Sequence, residues 1–258
     1  MKTINIITHI INWLDNYCNK SNLKGFIIGV SGGIDSAVTS TLCAKTQKKT
    51  IVINMPIHRH SVKHCSLSQN HIDWLEKKFD NVKGFKTDLS SAFQTLEKSL
   101  PDNIQDDLTM ANTQSRLRML TLYAFASHHK MLVVGTGNKI EDFGVGFYTK
   151  YGDGAVDISP IADLVKSEVY AIGRELGIID EILKASPADG LWDDDRTDES
   201  QLGATYPELE WAMNFEASQK NSLQLSKREK EVLKIYKKFN SANRHKMEPI
   251  PICKIQDL

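Results

Sequence analysis

Eight consecutive residues, Gly29-Val30-Ser31-Gly32-Gly33-Ile34-Asp35-Ser36, combine adjacent glycines, two hydroxyls and one carboxylate. Gly32 and Gly33 let the backbone turn tightly and approach a ligand with no Cβ in the way. An apolar run, Phe26 to Val30, precedes the turn and a helical pattern follows it. The free N–H groups of a helix start and the Ser31 and Ser36 hydroxyls are donors for an anion. The chemistry this suits is phosphate binding. A Walker A loop carries Lys before its Ser/Thr, where Asp35 stands here, and the pattern G-x-G-x-x-G is absent. An acid beside phosphates makes sense if it holds Mg²⁺, which neutralises the phosphate charge.

A second group is Gly135-Thr136-Gly137-Asn138-Lys139-Ile140-Glu141-Asp142, followed by Gly146-Phe147-Tyr148-Thr149-Lys150-Tyr151-Gly152-Asp153-Gly154 and Asp157. It reads as a strand end, a tight turn, a carboxylate, and a Gly-rich loop with a lysine between aromatics. Glu141 can complete the metal shell that Asp35 begins. Lys150 suits an anionic substrate group, and the aromatics can flank a ring. His58, His60, His64, Cys65 and His71 are metal-ligand types, but their spacing matches no zinc template. Loop histidines near a phosphate site are the simpler account.

These residues need a scaffold that brings two strand ends together. Buried-strand candidates at Phe26–Val30, Thr50–Met55, Val82–Phe85 and Met131–Gly135 alternate with helical patterns at 36–46, 72–79, 89–100 and 113–129. That alternation predicts an α/β fold with a doubly wound parallel sheet and a site at the strand C-termini. Ile4, Ile7, Ile10, Ile11 and Leu14 predict an amphipathic N-terminal helix. From Ala162 onwards the pattern is helical, at 165–176, 206–215 and 227–239, with an Asp-, Pro- and Gly-rich loop from Ser186 to Gly203. Loops that long are usually functional or mobile, and Trp192 beside Asp193-Asp194-Asp195 suggests a lid.

The 258 residues suit a single domain over 1–258, with 41% hydrophobic and 25% charged residues. Lys plus Arg and Asp plus Glu are both 32, so no net charge pulls towards a nucleic acid. No apolar run has the length of a membrane span, and no partner in a membrane is expected. Cys18, Cys43, Cys65 and Cys253 form no CxxC pair, which suits a reduced, cytoplasmic protein.

The segment Gly29 to Ser36 resembles the SGGxDS loop of the ATP pyrophosphatases. These enzymes gather the β- and γ-phosphates as a leaving group while a substrate oxygen attacks the α-phosphate. Gly146 to Gly154 is similar to the GFxTKYGDG segment of the NAD synthetases in that group. The likeness runs over nearly the whole chain, through Asn112, Arg116, Lys166, Asp198-Glu199, Leu202-Gly203, Tyr206 and His245-Lys246.

The resemblance implies an adenine nucleotide alpha hydrolase-like, Rossmann-like fold with a helical C-terminal part. It implies that ATP adenylates the nicotinate carboxylate of deamido-NAD and that ammonia converts it to the amide. Asp35 and Glu141 would bind Mg²⁺. Gly29, Val30, Ser31, Gly32, Gly33, Ile34, Asp35, Ser36, Thr136 and Lys166 would bind ATP, with Asp35 and Lys166 catalytic. Arg116, Lys150, Asp157, His245 and Lys246 would bind deamido-NAD. A homodimer with that site at the subunit interface is implied too. The chain departs from the pattern at Pro187-Ala188, where a hydroxyl for ATP is usual and Ser186 is the available substitute, and at Ile57 to His64, near the expected adenine. No room for a glutaminase domain precedes Phe26 or follows Phe239, so ammonia is the expected donor. Alternatives are another ATP pyrophosphatase, such as a tRNA-modifying enzyme, and a non-catalytic nucleotide-binding protein.

Overall fold

Four short apolar strands pair in parallel: β1 (Gly25–Gly29), β2 (Lys49–Asn54), β3 (Val82–Lys86) and β4 (Leu132–Val133). Their order is β3-β2-β1-β4. The computed structural model describes residues 2–57, 62–187, 196–218 and 225–255, the side chains of 62–65 excepted. The helices are α1 (Lys2–Lys20), α2 (Ile34–Lys45), α3 (Val62–Lys78), α4 (Ser90–Ser99), α5 (Asp107–His129), α6 (Lys166–Leu176), α7 (Asp180–Lys184), α8 (Asp198–Leu202), α9 (Tyr206–Ala217) and α10 (Lys227–Met247).

Successive strand residues point to opposite faces, and each face has its own helical cover. Phe26, Ile28, Val52 and Leu132 pack with Leu14, Val38, Ile72 and Ile172 of α1, α2, α3 and α6. Ile27, Ile51, Ile53 and Val133 pack with Phe93 of α4 and Met110, Met119 and Leu122 of α5. This is the doubly wound sheet that the alternation of strands and helices predicts. A third core joins Ile140 and Val145 to Leu202, Tyr206, Leu209, Val232 and Tyr236, so the helical C-terminal part packs on the loop after β4.

Strand order reverses beside β1, since β2 and β3 lie to one side and β4 to the other. A crevice opens at such a switch point, outside the strand C-termini. Both motif segments leave the sheet there, one after β1 and one after β4.

Three boundaries differ from expectation. α5 starts at Asp107 rather than near Thr113, because Asp106 caps it by accepting from Thr109 N at 3.0 Å. β4 is shorter than Met131–Gly135, with Val134 forming only a bridge to Ile158. α10 runs past Phe239 to Met247, for reasons given below.

Candidate active site

Gly32 has φ +92°, a backbone that glycine adopts freely. Gly33 precedes α2 and offers no side-chain cap, so the first N–H groups of α2 stay available to an anion. The hydroxyls fix the turn from inside: Ser31 N donates to Ser36 Oγ at 3.3 Å, Gly33 N to Ser31 Oγ at 3.2 Å, and Ser36 Oγ to Gly33 O at 3.0 Å. Beneath the turn, Ser40 Oγ donates to Ser36 O at 2.7 Å and lies 3.0 Å from His71 Nε2. Burial holds the His71 pKa down at about 4, so the ring is neutral.

Opposite the loop, four elements converge on one ammonium. Lys166, the first residue of α6, sends Nζ to within 2.5 Å of Asp35 Oδ2 and 3.1 Å of Glu141 Oε1. Its side chain is 4% exposed, and those of Asp35 and Glu141 are 16% and 15% exposed, so the three charges are removed from bulk water. Burial alone would depress the lysine pKa, but Asp35 and Glu141 outweigh it and push it above the ordinary value. Burial raises the Asp35 carboxyl, with Lys166 opposing the rise.

Asn138, fully buried, ties the two acids together. Its Nδ2 donates to Asp35 Oδ1 at 3.2 Å, while its Oδ1 accepts from Ile140 N at 3.1 Å and Glu141 N at 3.2 Å. Tyr206 OH donates to Glu141 Oε1 at 2.5 Å and lies 3.2 Å from Asp198 Oδ2. Its ring carries Lys166 Nζ at 4.6 Å from the centroid. Two carboxylates facing one cation position are hard oxygen donors of the kind a divalent ion such as Mg²⁺ takes.

The loop after β4 continues as a single turn of π-helix, Ile140–Val145, closed by Gly146 at φ +64°. Such turns recur at functional sites, and this one carries Glu141. It also leaves carbonyls without helical partners. α10 supplies donors at spacings of three residues: Asn240 to Gly144 O at 2.8 Å, Asn243 to Val145 O at 2.8 Å, and Lys246 to Gly146 O at 2.9 Å and Tyr148 O at 2.8 Å. This clamp is why α10 outruns its apolar pattern. A Cβ on Gly146 would collide with Asn243, so the close approach requires glycine.

The substrate-loop candidates gather against α5 and α10. Lys150 Nζ donates to His245 O at 2.6 Å, and Arg116 Nε to Lys150 O at 3.3 Å. Thr149 Oγ1 donates to Asn112 Oδ1 at 2.6 Å, and Ser115 Oγ to Asp153 Oδ1 at 2.6 Å. Lys246 has two of its three donors on carbonyls. Asp157 accepts from Val133 N at 2.8 Å and from Tyr123 OH at 3.2 Å, at the end of β4. Thr136 lies in the turn after β4. The structure thus brings Asp35, Glu141 and Lys166 into one centre, and gathers Arg116 of α5 and His245 and Lys246 of α10 around Lys150 and its loop.

Nothing in the sequence marks a role for Asn138, Asn240 or Asn243, although Asn138 stands between the Gly-rich turn after β4 and Glu141. Tyr206 belongs to the resemblance, but only the structure shows its contact with Glu141. Among 58–65 and in the lid segment, residues 58–61 and 188–195 and the side chains of 62–65 lie outside the described residues. Ser186 and Pro187 precede that gap, and Arg196 to Gly203 after it includes α8.

The chain is similar to known proteins over most of its length. The model of the NAD synthase family matches residues 6–250. An NH₃-dependent NAD(+) synthetase of Carboxydothermus hydrogenoformans is 36% identical over 207 residues, 78% of this chain and 81% of that protein. One from Mycoplasma genitalium is 38% identical over 210 residues, 80% of this chain and 82% of that protein. The structure of NMN synthetase from Francisella tularensis superposes with a TM-score of 0.87 at 29% identity, covering 99% of this chain and 100% of that one.

Proposed function

Because the chain belongs to the NAD synthase family, we propose that it joins ammonia to the nicotinate carboxylate of deamido-NAD at the expense of ATP, giving NAD, AMP and pyrophosphate. It is a ligase. The observation that carries the reading is the convergence of Asp35, Glu141 and Lys166 beside an uncapped, Gly-rich helix start.

A carboxylate is a poor acyl donor, because its leaving group would be oxide. One carboxylate oxygen attacks the α-phosphorus, the bond to the β-phosphate oxygen breaks, and pyrophosphate leaves. Ammonia then attacks the acyl carbon, AMP leaves, and a proton is lost. Residues Gly29 to Ser36 hold the departing phosphates on backbone N–H groups and hydroxyls, with Thr136 at the facing strand end. Lys166 supplies positive charge to the phosphates. Mg²⁺, held by Asp35 and Glu141, would neutralise phosphate charge. Arg116, Lys150, Asp157, His245 and Lys246 orient the nicotinate nucleotide. We extend the reading to a homodimer: α5 exposes Leu108 (60%) and Leu120 (68%) on one stripe with Arg116 between them, which suits a subunit contact at the substrate site. No helix among the described residues is long and apolar enough to cross a membrane, and the free thiols of Cys18 and Cys43 suit the cytoplasm.

A second reading has an observation of its own. The NMN synthetase of F. tularensis matches over its whole length, so nicotinate mononucleotide is the competing acceptor for the same chemistry. The test incubates the protein with ATP, Mg²⁺, ammonium and either deamido-NAD or nicotinate mononucleotide, following amide product, AMP and pyrophosphate. The higher kcat/KM decides between them. Absence of AMP and pyrophosphate with both would refute the ligase chemistry.

A further inference from the structure

The position between the two acids of this centre is already taken by a protonated amine. Asp35 comes from the start of α2 and Glu141 from the π-helical turn, and both reach Lys166 Nζ within hydrogen-bond distance. Two shielded carboxylates facing each other would repel, so a cation is needed to hold them in this arrangement. We propose that Lys166 is a resident counter-ion that closes the Asp35–Glu141 pair to free divalent metal, and that the phosphates of ATP draw the ammonium away so that metal and nucleotide enter together.

Three features support this order. The pair provides two carboxylates rather than a full cage, and Mg²⁺ commonly completes its shell with phosphate oxygens and water, so the metal's remaining ligands arrive with the nucleotide. Lys166 sits at the first position of α6, the positive end of its helix, which disfavours a cation. The carboxylates and the Tyr206 ring are therefore what hold it. Finally, Asp35 is the second residue of α2, so an anion bound at that helix start lies beside the pair, and a flexible lysine stem can exchange carboxylate for phosphate without leaving the centre.

The proposal rests on the reading of Asp35 and Glu141 as metal ligands, and the experiment separates the two. Mn²⁺ is titrated into the full chain without nucleotide, and free Mn²⁺ is followed by electron paramagnetic resonance. The wild type should bind weakly. Lys166→Met and Lys166→Gln should each bind one Mn²⁺ at least about tenfold more tightly, because charges a few ångströms apart in a protein interact far more strongly than in water. Adding Glu141→Gln should abolish that gain. With α,β-methylene-ATP present, the wild type should gain Mn²⁺ affinity as the phosphates draw Lys166 away, whereas the variants, which lack that ammonium, should gain less. If the wild type without nucleotide binds Mn²⁺ as tightly as the variants, through Glu141, the counter-ion role is overturned and the ligand reading stands. If no state binds Mn²⁺ through Glu141, both fall. Should neither variant fold by circular dichroism, the wild type alone decides: tight, Glu141-dependent binding without nucleotide overturns the proposal, and its absence together with Glu141-dependent binding in the nucleotide complex sustains it.

Discussion

Asn243→Ala removes one tooth of the α10 clamp without touching any residue proposed to meet substrate. The lost bond, Asn243 Nδ2 to Val145 O at 2.8 Å, is a neutral one, worth about 1 kcal/mol net. Lys246→Met removes two charge-assisted bonds, at 2.9 and 2.8 Å. Each is worth about 1.5–3 kcal/mol when buried, and half-exposure of Lys246 brings the pair to about 2 kcal/mol. Both variants loosen the same stretch, Val145 to Tyr148, so their effects should not add, and the double variant should lose less than about 3 kcal/mol. Glu141 keeps its separate anchors in Asn138 and Tyr206, so the loosening reaches Lys150 first. KM for the nicotinate nucleotide should rise by up to about fivefold in Asn243→Ala, equivalent to about 1 kcal/mol from the lost bond, while ATP affinity stays within about twofold. Urea denaturation followed by circular dichroism gives the stability change, and initial rates with each substrate varied give the split. Equal weakening towards ATP, or an unchanged urea midpoint, would refute the clamp.

Asp35→Ala should fold normally and lose about 10²–10³ in kcat, the usual cost of one charge-stabilising group, and near-normal turnover would remove Asp35 from the centre. Lys150→Ala should weaken nicotinate-nucleotide binding and spare ATP binding; titration calorimetry with each ligand checks this, and a shared loss would make Lys150 structural. His71 gives a pH signature. Its pKa falls from 6.5 in the unfolded chain to about 4 in the fold, so the unfolded chain binds the extra proton between these values. Stability should be fully present above about pH 6.5 and decline by up to about 3 kcal/mol as pH falls through 4. His71→Gln should flatten that window in denaturation curves, and an unchanged slope would assign it to another group.

The sheet and the Gly-rich turn after β1 were legible because their signals are local. Five apolar residues running into adjacent glycines define a strand and its turn wherever they occur. The pairing of Asp35 with Glu141 was legible from acids at two strand ends, whereas the place of Lys166 between them was not, since Asp35 and Lys166 are 131 residues apart in the chain. Asn240 and Asn243 carry no signal at all. On a helix otherwise rich in lysine they read as a wetted face, and only the carbonyls of the π-helical turn give them a purpose. That turn was invisible for a related reason: Ile140 to Val145 has no periodic pattern distinct from an ordinary helix end. The N-terminus of α5 was missed because its cap, Asp106, precedes a stretch with exposed Leu108 that breaks the apolar stripe.

The strand order also dictates a sequence of assembly during synthesis. β1, β2 and β3 are neighbours both along the chain and in the sheet, but β4 must return to β1 after Phe26 has waited for Leu132. Lys166 and Tyr206 emerge later still. Domains generally fold as units, and Ile34 and Val38 of α2 share a core with Val169 and Ile172 of α6, so the Gly-rich loop gains its support only once the later helices have emerged. A chain that stops before α6 therefore lacks Lys166 and part of the cover of α2 as well. The charged centre is thus assembled last, when α6 and α9 bring Lys166 and Tyr206 to Asp35 and Glu141.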